Sequence, residues 1–228
     1  MTYKDILSSD FFFETYSKIE FEKRKFPVNH GFVHIWHVLS SARKLANLFG
    51  LSSYEKELLY IACTLHDIGY LRGRDNHAEN GAILAKDFLK GKLPEKDIEL
   101  ICSAIANHGG HEQKDFEENI SLCLVLADKL DFVKTRYRED ENHASVKTFM
   151  TVEKVELVDK GSHFELQITS TSPKMFEGFD GSYFFNKLKL VMEKLSNAKK
   201  KKVQICITKQ NWQKQKSEVC SLFLLSFF

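Results

Sequence analysis

Residues 58–67 read Leu58-Leu59-Tyr60-Ile61-Ala62-Cys63-Thr64-Leu65-His66-Asp67, a predominantly apolar stretch that ends in an imidazole and a carboxylate side by side. Leu58, Ile61, Ala62 and Leu65 fall at i, i+3, i+4 and i+7, the spacing of a buried helix face. Ionisable groups at the end of such a face need a compensating partner, and metal ligation is the best one. Four more candidate ligands, His34, His77, His108 and Asp128, each stand beside a separate helix-like segment. A compact helical fold would converge all six on one point.

Outward from this stretch the helical period persists in both directions. Residues 10–26 carry Phe12, Tyr16 and Ile19 at helical spacing, and the pattern stops at Pro27. Residues 34–49 carry the stripe Ile35, Val38, Leu39, Ala42, Leu45, Ala46 and Phe49, closed by Gly50. The helix holding the opening stretch should start near Ser53, with Glu55 and Glu57 in its first turn. Asn76-x-x-Glu79 resembles a capping box and places His77 in the first turn of a helix reaching about Leu89. Gly91 and Pro94 then punctuate the chain. Residues 95–107 bury Ile98, Ile101, Cys102 and Ile105, with His108 following on the same face, and residues 120–133 place Asp128 in a heavily apolar segment. The spacing therefore predicts an all-α domain over residues 1–143.

Beyond that point the texture changes. Residues 149–158 and 163–169 are rich in β-branched and aromatic residues and flank Asp159-Lys160-Gly161-Ser162, a hairpin signal. Residues 181–196 look helical and 203–208 look like one more strand, so residues 144–228 are expected to form a small α+β lobe of order β-β-α-β. The fold class expected is mainly α.

The 228 residues are 43% hydrophobic and 28% charged, enough for one full core and a small appendage. The 33 basic and 31 acidic residues leave a formal charge of +2, too even to predict a nucleic-acid or membrane surface. Five scattered cysteines form no C-x-x-C pair and read as reduced thiols. With no signal-peptide layout at Met1 and no apolar run near the ~20 residues of a membrane span, a cytoplasmic protein is expected. The apolar tail over 219–228 is expected to dock on the chain itself or on a second subunit, which makes a homodimer an open expectation.

A single histidine on an apolar face is more often a core residue than a ligand, but the set weighs differently. Asp128, inside Leu122-Cys123-Leu124-Val125-Leu126-Ala127-Asp128, would cost several kcal/mol of desolvation, roughly as any buried carboxylate does, unless a cation or several donors offset it. Imidazoles mixed with carboxylates and no thiolate suit one or two divalent ions, Fe or Mn first and Mg, Co, Ni or Zn also. Two ions could sit roughly 3.5–4 Å apart with Asp67 as the natural bridge.

At this point the residues resemble the HD-domain metal-dependent phosphohydrolases, defined by His…His-Asp…Asp, over roughly residues 28–140. His34 is preferred to His37 as the first histidine because His34, Val38, Ala42, Leu45 and Ala46 reproduce the family's helix, which leaves His30 and His37 as supporting or surface residues. The segments His77-Ala78-Glu79-Asn80-Gly81-Ala82, Ala104-Ile105-Ala106-Asn107-His108 and Ala127-Asp128-Lys129-Leu130-Asp131 through Arg136 are similar to the binuclear branch that includes bacterial HD-type diadenosine tetraphosphate hydrolases. One departure is Tyr70 after His66-Asp67-Ile68-Gly69, where many relatives carry Lys or His.

The resemblance implies hydrolysis of a phosphoester or phosphoanhydride of a nucleotide or small phosphorylated metabolite. It implies His34, His66, Asp67 and Asp128 as primary ligands, with His77 and His108 completing a second position. Lys129 and Arg136, with Asp67, are the catalytic candidates, and Arg72, Arg74, Lys129, Asp131 and Arg136 the substrate-binding ones; Arg136 is expected to hold phosphate rather than support the fold. The competing reading of these basic residues is a solvated helix face with Asp131 and Glu139 as partners. Two other classes stay open: an HD-type mixed-valence di-iron oxygenase, and a ligand-sensing module that retains metal without turnover.

Overall fold

The computed structural model describes residues 1–23, 28–109, 119–138, 144–176, 183–209 and 225–227. The chain separates into two compact units, Met1–Asp128 and Lys129–Phe228. The border expected at 143 falls on residues 139–143, which lie outside the described residues, as does Glu139. The architecture is mainly α, with a small α+β lobe at the C-terminal end.

The first unit holds α1 (Tyr3–Leu7), α2 (Asp10–Lys23), α3 (Phe32–Leu48), α4 (Ser53–Leu65), α5 (His77–Leu89), α6 (Glu95–Asn107) and α7 (Asn119–Lys129, which crosses the border by one residue). Helix α3 buries Ile35, Val38, Leu39, Ala42, Leu45 and Ala46, the stripe its spacing predicts. It ends at Gly50, whose φ of 71° suits glycine; the Leu51 amide reaches back to Ala46 O and that of Gly50 to Asn47 O, a Schellman closure. Helix α4 opens on a capping box in which Ser52 accepts from the Glu55 amide and the Glu55 carboxylate accepts from the Ser52 amide.

The box expected at Asn76 does not form. Asn76 sits in the left-handed region at φ 54° and makes no side-chain cap, so α5 starts at His77 without it. Helix α7 is buried on every side from Ile120 to Asp128, as an all-round apolar sequence requires, and it ends at Lys129 rather than near 133.

Two glycines set how α5 sits. A short 3-10 turn over Ile68–Arg72 follows the His66-Asp67 pair. A Cβ on Gly69 would lie 1.8 Å from His77 O and 2.5 Å from Gly81 N, so turn and helix meet backbone to backbone.

The second unit contains α8 (Ala144–Phe149), β1 (Val152–Asp159), β2 (His163–Ser170), α9 (Tyr183–Lys199), β3 (Lys202–Lys209) and β4 (Leu225–Phe227). The sheet order is β1-β2-β3-β4. Strands β1 and β2 form the expected antiparallel hairpin, and β2 runs parallel to β3 through the α9 crossover, with His163 opposite Lys202 and Ser170 opposite Lys209. Alternate residues of β2 (Phe164, Leu166, Ile168) and β3 (Val203, Ile205, Ile207) are buried, as is the α9 stripe Leu188, Val191, Met192 and Leu195. Periods of 2 and 3.6 thus supply one shared core. Part of the apolar tail joins this sheet, since β4 pairs antiparallel with β3, Leu225 opposite Ile205 and Phe227 opposite Val203. Among the described residues, no helix is long and apolar enough to cross a membrane.

Candidate metal centre

The last carbonyls of a helix lack intrahelical partners, and two histidines exploit this at the ends of α4 and α6. His66 caps α4 with its Nδ1 2.8 Å from Cys63 O, and His108 caps α6 with its Nδ1 2.6 Å from Ile105 O. A carbonyl only accepts, so Nδ1–H donates in each ring and Nε2 of the neutral imidazole is left as a lone pair. His77, the first residue of α5, repeats the arrangement with Nδ1 3.0 Å from Arg74 O. The buried Tyr16 hydroxyl of α2 donates to Thr64 O at 2.9 Å and steadies the turn just before His66.

These lone pairs converge with carboxylates. His34 Nε2 lies 3.2 Å from His66 Nε2, 3.4 Å from Asp67 Oδ2 and 3.2 Å from Asp128 Oδ1. His66 Nε2 lies 3.4 Å from Asp67 Oδ2 and 4.0 Å from Asp128 Oδ1. The other oxygen of Asp67, Oδ1, is 3.4 Å from His108 Nε2. His34, His66, Asp67, His108 and Asp128 are all buried.

Burial pushes the His66 pKa down to about 3, although Asp67 opposes the shift. Burial also resists ionisation of Asp67, but its polar neighbours, with His30 Nδ1 2.9 Å from Oδ2, outweigh it and hold the carboxyl well below the usual range. At neutral pH a lone pair of His66 therefore faces an anionic oxygen, an arrangement that repels unless a cation sits between them.

The geometry fits such a cation. Atoms held about 2.1 Å from one ion stand about 3 Å apart at right angles and about 4.2 Å apart when opposed. The separations of 3.2–3.4 Å, and the wider one of 4.0 Å between His66 and Asp128, follow that pattern. His108 Nε2 is buried and makes no hydrogen bond among the described residues. The C-terminal ends of α4 and α6, both at this cluster, add negative potential. Ligand atoms group within 4.8 Å of one another as His34, His66 and Asp128; as His66, Asp67 and His108; and as His30, His34 and Asp67.

Of the six expected ligands, five meet here. His77 stands beside the groups, its ring 5.0 Å from that of His108 and half-buried. His30, read from sequence as a supporting or surface residue, reaches Asp67 Oδ2 with Nδ1 at 2.9 Å. It precedes α3 on non-helical backbone, so helical periodicity carried no signal for it.

Arg72 and Arg74 are exposed, directly after the His66-Asp67 pair in the chain. Lys129, Asp131 and Arg136 belong to the second unit. There Arg136 is buried and its Nη1 donates to Asp131 O at 2.9 Å, a contact that supports local structure. The rings of Phe132 and Tyr137 pack against Phe149 of α8 nearby.

The family profile of the HD domain matches residues 31–134, a span that includes all of the expected ligands. A search of curated proteins gives no match. The His/Asp cluster lies within the matched span and offers the donor set of a divalent-metal site.

Proposed function

We propose that the chain is a metal-dependent phosphohydrolase acting on a phosphoester or phosphoanhydride of a nucleotide or small phosphorylated metabolite. The observation that carries this reading is the buried convergence of His34, His66 and Asp128 at separations suited to one ion, with Asp67 Oδ2 3.4 Å from both histidines. His34 and His66 would hold the ion through their Nε2 atoms, Asp128 would balance its charge, and Asp67 with His108 would hold a second ion. A divalent ion in such a site, with Fe or Mn favoured, supplies an acidified water and positive charge for the phosphoryl oxygens.

In this reading the chain's own cations receive the substrate. Arg72 and Arg74, exposed a few residues after Asp67 in the chain, attract the phosphate. Lys129, which follows Asp128 directly, and Arg136 with Asp131 are the further substrate-binding candidates. The nearly balanced charge of +2 favours a small anionic substrate over nucleic acid or a membrane surface, and a second copy of the chain is the macromolecular partner we would look for.

Metal content after desalting, followed by phosphate release from a panel of nucleotides and phosphoesters with Mn2+ or anaerobic Fe2+, tests the proposal. Asp67→Ala should lose both metal and turnover. An Asp67→Ala protein that retains the parent's metal content would refute the site. Oxygen uptake by the iron-loaded protein without phosphate release would assign it to di-iron oxygenase chemistry, and full metal occupancy with neither activity would leave a ligand-binding module.

A further inference from the structure

Three aromatic rings run in a row beside Asp67. The Tyr70 ring lies between those of His30 and His77, at centroid distances of 4.2 Å and 4.4 Å. The His77 pair is stacked at 26° between planes. Tyr70 is buried in the 3-10 turn that follows the His66-Asp67 pair. Its hydroxyl is 3.2 Å from His30 Nε2, while His30 Nδ1 is 2.9 Å from Asp67 Oδ2.

A carboxylate oxygen accepts, so His30 donates to Asp67 Oδ2 through Nδ1–H. In that tautomer Nε2 accepts, and the Tyr70 O–H donates to it. The chain of donation therefore runs Tyr70 to His30 to Asp67.

We propose that Tyr70 is a positioning residue for the metal centre, acting through His30 to fix Asp67. Two consequences follow from the geometry. Rotation of the Asp67 carboxylate about its own bond would break the His30 contact, so Oδ2 stays toward His34 and His66 while Oδ1 stays toward His108. The Tyr70 hydroxyl in turn holds His30 in the one tautomer that can donate to a carboxylate through Nδ1, and supporting hydrogen bonds of this kind govern ligand orientation and affinity. This inference rests on the proposed metal site, but not on any particular reaction.

The test is Mn2+ affinity by equilibrium dialysis for the parent chain, Tyr70→Phe, His30→Ala and the double variant. Tyr70→Phe keeps the ring against His77 and removes only the hydroxyl, so thermal unfolding should be almost unchanged. Its affinity should fall about tenfold, and His30→Ala somewhat further, within the range of about 10–100-fold known for such supporting partners. Because Tyr70 acts through His30, the double variant should bind no worse than His30→Ala alone. The 15N chemical shifts of His30 in the metal-free protein should report the Nδ1–H tautomer in the parent and a mixture in Tyr70→Phe. Parent-like affinity in Tyr70→Phe, or losses that multiply in the double variant, would overturn the relay while leaving the metal site intact. A parent that binds no Mn2+ would overturn both.

Discussion

His66 combines a helix cap with a neutral ring, and this makes the metal-free protein acid-sensitive. An ordinary histidine titrates near 6.5, and the buried ring at about 3. Between those values the unfolded chain carries one more proton than the folded one, so stability rises with pH across the window and falls as pH drops, by up to about 1.4 kcal/mol per pH unit. Burial lowers the His77 pKa in the same direction. Asp67, held below the usual carboxylate range, adds stability above that range and loses it further into acid. Urea unfolding of the metal-free protein between pH 7 and 5 should show this slope, and His66→Gln should flatten it; an equal slope in the variant would mean that the ring is not held neutral. Arg136 is the other residue whose burial changes an expectation. Its guanidinium donates to Asp131 O, so Arg136→Ala should lower stability by about 1.5–3 kcal/mol, measured by urea unfolding, whatever it does to turnover.

At the scale of elements, the contact between the 3-10 turn and α5 is the most exacting. A methyl group at Gly69 would overlap His77 O, so Gly69→Ala must push the turn and α5 apart. Overpacking of this kind costs about 1–3 kcal/mol and here should reach the upper end or beyond. Gly50→Ala, where nothing lies within 4 Å of the new Cβ, should cost only the strain of a positive φ, about 1 kcal/mol. Differential scanning calorimetry of the two variants should rank them in that order. Elements with strong local punctuation were legible from sequence alone: the α3 stripe stops at a glycine that does adopt positive φ, and α6 runs Glu95–Asn107 after Pro94 as its spacing predicts. The short α1 and α8 carry too few turns for a period to register. Asn76 has the composition of a cap, but its backbone is left-handed and its side chain makes no cap, which the letters do not show. Within the site, histidines that end a helical face announced themselves, whereas His30 needed the folded chain to bring Asp67 to it.

Over the whole molecule, the gathered side chains all belong to the unit Met1–Asp128. An ion that binds only the folded state stabilises it by mass action, by about 2.7 kcal/mol at a free concentration a hundred times the dissociation constant. Hydrogen exchange with and without Mn2+ should show that gain at the slowest amides of α3, α4 and α7, which supply His34, His66 and Asp128 respectively or directly precede them. Absence of added protection would mean that the cluster does not hold the ion. The same arrangement bears on time as well as on equilibrium. His34, His66 and Asp128 are far apart along the chain, so an ion that joins them ties segments which a nascent or unfolded chain has no reason to bring together. Such a tie forms only after the helices are in place and must be undone before they part. It should therefore leave the folding rate nearly as it is and slow unfolding. The ion would then govern how long each folded molecule lasts.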